Sequence, residues 1–269
     1  MPHHHQHLIE PAELADLTGP VLLVDLCSDR QYQQGHIPGA VHVSPAELVA
    51  GRPPVPGQLP DQHRLGELFS RIGLEEGTTV VVYDDEGGGW AGRMAWTLDV
   101  IGHRNWRYLN GGLQAWLLEG RPLETTPVTA RAAPRDIEIH RAAIAEAEEI
   151  MARLGDGELL VWDARSRGEY EGSKVVAKRG GHIPGAIHCE WTDLMDPARG
   201  LRIRGDAAAI LAAKGLTPDK EIVTHCQSHH RSGFTYLVAR VLGYPRIRAY
   251  PGSWGDWGNR ADTPVESGL

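Results

Sequence analysis

The hexapeptide Gly-His-Ile-Pro-Gly-Ala occurs twice, at Gly35–Ala40 and at Gly181–Ala186. Each copy lies downstream of an apolar run ending in aspartate, Val21–Asp25 and Leu159–Asp163, and a tyrosine follows each aspartate by seven residues, Tyr32 and Tyr170. Further on, Tyr108-Leu109-Asn110-Gly111-Gly112-Leu113-Gln114-Ala115-Trp116 matches Ala249-Tyr250-Pro251-Gly252-Ser253-Trp254-Gly255-Asp256-Trp257. Landmarks in one order along both halves of a 269-residue chain mark a tandem duplication. The chain therefore reads as two copies of one domain, each large enough to bury its own core.

Between landmarks, strands and helices alternate. Thr79–Tyr83 and Glu221–Thr224 read as buried strands; Trp90–Ile101 and Ser232–Leu242 read as helices that stop near Gly102 and Gly243. This alternation predicts an α/β fold, a mostly parallel sheet with helices on both faces in each copy. Pro122, Pro127 and Pro134 lie in a stretch rich in Thr and Ala. The expected division is a first domain over 1–124, a linker over 125–137 and a second domain over 138–269. The second copy carries eight extra residues between Tyr170 and Gly181, including Lys174, Lys178 and Arg179.

The two copies differ where chemistry is expected. Thr224-His225-Cys226-Gln227-Ser228-His229-His230-Arg231-Ser232-Gly233 joins a strand to a helix, a geometry that aims backbone N–H groups and a helix N-terminus into one bowl. A thiol at that rim with a guanidinium beside it has its thiolate stabilised. Cys226 is the expected nucleophile. Arg231, with its planar fork of donors, Gln227, Ser228, His229, His230 and Ser232 are the expected substrate contacts. One of the two histidines should face the pocket and the other the rim. Aligning strands puts Asp84 where Cys226 stands, followed by a Gly-rich loop expected to be about four residues longer. Asp84, Asp85 and Glu86 at that mouth would repel an anion, so the first site reads as retired. Cys27 aligns with Arg165; it and Cys189, which falls in the strand-like Ile187–Trp191, read as small half-buried fillers. Asp163 and Arg165 brace the catalytic loop or form a surface ion pair; Trp254 belongs to the core or walls the cleft. A zinc site from His225, Cys226, His229 and His230 fails on spacing, and neither metal nor cofactor is expected.

With a net charge of -8, the chain is not expected to bind nucleic acid or anionic membranes, so any anion site must be local. No stretch of roughly 18 apolar residues exists to span a bilayer, and charges interrupt Leu8–Leu23 too often for a signal peptide. Three scattered cysteines suit reduced thiols in a cytoplasmic protein. The histidines of Met1–His7 read as a flexible or appended tail.

With the loop and the repeats together, the chain resembles the tandem-domain rhodaneses, thiosulfate:cyanide sulfurtransferases. The resemblance runs from Leu8 to Val265. Tyr32-x3-His36-Ile37-Pro38-Gly39-Ala40 resembles the family's N-terminal signature and Tyr250-Pro251-Gly252-Ser253-Trp254-Gly255-Asp256 its C-terminal one. The loop Cys-Gln-Ser-His-His-Arg-Ser is similar to that of a bacterial subgroup. The resemblance implies an inactive first domain, a catalytic second domain and an active site at the cleft between them. Mercaptopyruvate sulfurtransferases share the architecture but grip a carboxylate with an arginine where this chain reads Tyr170-Glu171-Gly172; Lys178 or Arg179 is the expected partial replacement.

The implied reaction is ping-pong transfer of sulfane sulfur from thiosulfate through a Cys226 persulfide to cyanide or a thiol, with thioredoxin or a sulfur-trafficking protein among the acceptors weighed. Two rivals remain at this point. A cysteine-dependent phosphatase needs Cys-x5-Arg, one residue longer than the Cys-x4-Arg here. A non-catalytic sulfur carrier or redox module would take sulfur but turn over slowly.

Overall fold

The computed structural model describes residues 6–268, so His3, His4 and His5 lie outside the described residues. His7 is not part of a loose tail. It is buried and stacked on Trp106, with Nδ1 2.9 Å from that residue's carbonyl oxygen.

In the first half the elements are β1 (Leu8–Ile9), β2 (Val21–Asp25), α1 (Asp29–Gln34), β3 (Val41–His42), α2 (Gln62–Arg71), β4 (Thr79–Tyr83), α3 (Gly89–Val100), β5 (Trp106–Leu109) and α4 (Gly112–Leu118). The apolar runs of β2 and β4 contain no polar alternation, and they become interior strands of a parallel sheet ordered β1-β5-β4-β2-β3. Their register runs from Val21 opposite Thr79 to Asp25 opposite Tyr83, so both strands end at one level.

The second half repeats the plan with α5 (Ala147–Ala152), β6 (Leu159–Asp163), α6 (Arg167–Glu171), β7 (Ile187–His188), an antiparallel pair β8 (Met195–Asp196) and β9 (Arg202–Ile203), α7 (Ala207–Ala213), β10 (Glu221–His225), α8 (Arg231–Val241), β11 (Ile247–Ala249) and α9 (Ser253–Trp257). Its main sheet is parallel in the order β11-β10-β6-β7, and a bridge from Ile144 to Ala249 stands in the place of β1. The repetition reaches single hydrogen bonds. Tyr32 donates its hydroxyl to the Ala40 carbonyl and Tyr170 donates to Ala186, and each ring stacks on the histidine of its hexapeptide, His36 or His182.

Three boundaries differ from expectation. The strand expected over Ile187–Trp191 ends at His188, because Trp191 opens a 3-10 turn, and Cys189, like Cys27, is fully buried rather than half-buried. Both long helices begin one residue earlier than the apolar periodicity indicates, so Arg231 is the first residue of α8. The first-copy loop is not longer: α3 starts five residues after Asp84, as α8 starts five after Cys226. The apparent excess is the first turn of α3, and Gly87 and Gly88 take positive φ (96° and 111°) to make the tight entry.

Helices α3 and α8 cross at Gly92 and Gly233. A Cβ on Gly92 would lie 2.2 Å from the Gly233 carbonyl oxygen, and one on Gly233 would lie 2.6 Å from the Arg93 nitrogen. Only glycines allow this approach, which brings the loops after β4 and β10 together in one cleft. The connecting segment lies along the first half, with the Ala133 amide bonded to the Ser70 carbonyl and Ile137 buried in the core that both halves share.

Candidate active site

The end of β10 delivers Cys226 to the base of the cleft, 1% exposed. The loop after it is held from behind by the start of α9. The Ser253 hydroxyl accepts from the amides of Cys226 (3.3 Å) and His229 (3.1 Å) and donates to the Tyr250 carbonyl. The Trp254 and Gly255 amides donate to the Cys226 and Gln227 carbonyls, both at 2.9 Å. His229 and Ser253 both adopt φ of 53°, left-handed conformations held by these bonds. From the first half, the strap at Gly57 lies against Ser228 so closely that a Cβ there would be 2.1 Å from the Ser228 carbonyl oxygen.

Burial alone would push the Cys226 thiol up. The Arg231 charge, the Ser232 hydroxyl and the amides of Ser232 and Ser228 outweigh it, and the thiol is held below its ordinary value. The other two thiols go the opposite way. Burial raises Cys189 to about 12, while burial and the Asp25 carboxylate raise Cys27 far beyond the range of use. Among the described cysteines, Cys226 is the one prepared to ionise.

Arg231 is not a free cation. Its two terminal nitrogens donate to the Glu169 carboxylate at 2.7 and 2.8 Å. Despite burial, Arg231 and the Ser166 hydroxyl bring the Glu169 carboxyl down to about 2. The fork leaves Nε–H and the outer N–H groups of the guanidinium for a second anion.

The two loop histidines diverge. His229 is buried edge-on against Trp96, with Nδ1 2.8 Å from the Ser232 oxygen; burial and Arg93 hold it well below its ordinary value, hence neutral. An Nδ1–H donated to Ser232 leaves that hydroxyl's own proton for the Cys226 sulfur. His230 keeps 22% of its side chain in solvent, between Trp90 and Trp191, and meets the Glu86 carboxylate across the domain boundary. Gln227 reaches Val176 in the inserted segment at 3.4 Å.

Asp163 and Arg165 are not a surface pair. Both are fully buried; Nε and Nη2 of Arg165 hold the carboxylate at 2.5–3.0 Å, Nη2 also donates to the Gly181 carbonyl, and the guanidinium stacks on Trp254 at 4.4 Å. Trp254 is wholly buried beneath the loop rather than walling its mouth. Arg179 does not serve as a substrate clamp, because its terminal nitrogens are bonded to the Thr263 and Trp257 carbonyls.

In the first half the corresponding cradle is filled. Asp84 is buried, and its carboxylate accepts from the amides of Glu86, Gly87, Gly88 and Ala91 at 2.8–3.1 Å. Its carboxyl is raised to about 6 by burial and by Glu86. The acidic mouth expected here turns inward at Asp84 and across the cleft at Glu86. Glu169, Ser253 and Arg93 are the site-forming residues that sequence reasoning missed, and Glu86, read as a repelling charge, is instead the partner of His230. Glu169 had one signal, a Ser166-x-x-Glu169 capping box that the structure contains; Ser253 sat inside the repeated segment.

The Rhodanese-like domain model matches the chain twice, over residues 10–119 and 146–260. The chain belongs to the rhodanese family. It is 54% identical over 261 residues to a thiosulfate sulfurtransferase of Azotobacter vinelandii, covering 96% of both chains. A thiosulfate sulfurtransferase of Pseudomonas aeruginosa is 53% identical over the same length and shares. The sulfur carrier protein TtuD of Thermus thermophilus is 33% identical over 250 residues, 88% of this chain and 87% of that one. Among solved structures, YnjE superposes with a TM-score of 0.89 at 25% identity, covering all of this rhodanese-family chain and 70% of the other.

Proposed function

We propose that this rhodanese-family chain is a thiosulfate sulfurtransferase with Cys226 as its nucleophile. The observation that carries the assignment of the nucleophile is the Cys226 environment: a thiol lowered by Arg231, by Ser232 and by two loop amides, while Cys27 and Cys189 are raised.

The Cys226 thiolate attacks the outer sulfur of thiosulfate, the sulfur–sulfur bond of the donor breaks, and sulfite leaves with the electron pair. A Cys226 persulfide anion remains, stabilised by the donors that held the thiolate. A thiolate or cyanide then attacks its terminal sulfur and returns Cys226 to the thiolate, so no external oxidant or reductant is needed. The free N–H groups of Arg231 suit the sulfonate end of the donor. Four residues lie between Cys226 and Arg231, the first residue of α8, one fewer than the Cys-x5-Arg of the phosphatase rival. With Arg179 committed elsewhere and Tyr170-Glu171-Gly172 offering no guanidinium, a carboxylate-bearing donor is left with the exposed Lys178 alone of the two expected replacements.

Intact-mass measurement after thiosulfate treatment tests the reading. Wild type should gain one sulfur atom, lost again on adding cyanide, and Cys226→Ala should gain none. Sulfur retained on Cys226→Ala, at Cys27 or Cys189, would refute it.

A further inference from the structure

The first half has no nucleophile, yet its loop touches the second half's active site. Glu86 projects from the first-half loop and its Oε1 meets Nε2 of His230. Three features build that contact. Gly89 has no side chain where the imidazole enters: a Cβ there would be 2.4 Å from His230 Nε2 and 2.8 Å from Glu86 Oε1. Trp90 packs on the ring from the first half at 4.6 Å, and Trp191 packs on it from the second at 5.6 Å. The Asp84 carboxylate, saturated by four amides, fixes the loop that carries Glu86.

From this geometry we propose that Glu86 of the first half is a positioning residue for sulfur transfer, orienting His230 so that its ring and charge meet the sulfur anion on Cys226. The inference rests on Cys226 being the sulfur-accepting group. The charged and titratable groups that bear on His230 are Glu86 and Asp84 from the first half and Cys226 and His229 from its own loop, while Arg231 is paired with Glu169. Burial lowers its imidazole, but Glu86, Cys226 and Asp84 outweigh that and raise it. A raised imidazole keeps its charge up to higher pH and loses it as pH climbs through the folded value. Thiolate formation at Cys226 sets the acid limb of the rate profile, and loss of the His230 charge sets the alkaline limb. The retired domain thereby widens the working range of the active one.

The test uses the full chain, with Glu86→Gln, His230→Ala and the double variant, and cyanide-dependent turnover of thiosulfate across pH. Glu86 keeps 35% of its side chain in solvent, so the isosteric glutamine should fold. Expected for Glu86→Gln is an alkaline limb moved to lower pH with the acid limb in place. Above that limb, kcat/KM should fall about tenfold for each pKa unit lost by His230, with recovery in Glu86→Asp. The double variant should be no slower than His230→Ala. A Glu86→Gln profile superimposable on wild type, or fully multiplicative losses in the double variant, would overturn the inference while sulfur loading of wild-type Cys226 left the sulfurtransferase reading intact. Failure of wild type to take up sulfur would overturn both.

Discussion

Replacing Glu169 by glutamine removes the charge that holds Arg231 and should cost stability in a pH-dependent way. The carboxyl sits at about 2 against an ordinary 4.5, which corresponds to about 3 kcal/mol in favour of the folded anion. Arg231 keeps 20% of its side chain in solvent, so screening reduces the expected loss to about 2–3 kcal/mol at neutral pH. The folded value lies below the unfolded one, so the contribution is complete above 4.5 and disappears as pH falls through about 2. Denaturant midpoints for wild type and Glu169→Gln should therefore differ fully at about pH 7, by about half as much at about pH 3, and converge below that. A difference of equal size at both pH values would assign the effect to packing and refute the charge argument. No difference at neutral pH would refute it outright.

Gly92→Ala places a methyl 2.2 Å from the Gly233 carbonyl oxygen, so it should destabilise by about 1–3 kcal/mol or more and separate the two loops, seen as a drop in melting temperature and in turnover. Gly205→Ala, with nothing within 4 Å of its Cβ, should do neither. Ser232→Ala removes one donor to the Cys226 sulfur, a bond to a charged group worth about 1.5–3 kcal/mol. Alkylation of Cys226 by iodoacetamide near neutral pH should slow by about tenfold or more; an unchanged rate would exclude the hydroxyl as a donor.

Fold and site were legible in the sequence to different depths, for physical reasons. The duplication exposed the architecture because β2 and β6, each buried on both sides, must be uninterrupted apolar runs, and their turns need the same Gly-His-Ile-Pro-Gly-Ala. The nucleophile was legible because a strand, a polar loop and a helix are contiguous in the chain. What crosses between segments was not. Glu169 lies 62 residues from Arg231 and Glu86 lies 144 from His230, and neither pairing leaves a local pattern. Asp84 was read as a repelling charge because a sequence records a carboxylate but not the four amides that absorb it. The sequence leaves Arg165 either bracing the loop or exposed in an ion pair; only its burial against Asp163 and Trp254 decides.

The ionisation of one thiol tests the account most directly. Thiolate ultraviolet absorbance, followed across pH as the difference between wild type and Cys226→Ser, reports that group alone. A midpoint clearly below the ordinary value of 9.0 is predicted. A midpoint at or above it would mean that burial wins over Arg231 and the loop donors, and would contradict the account.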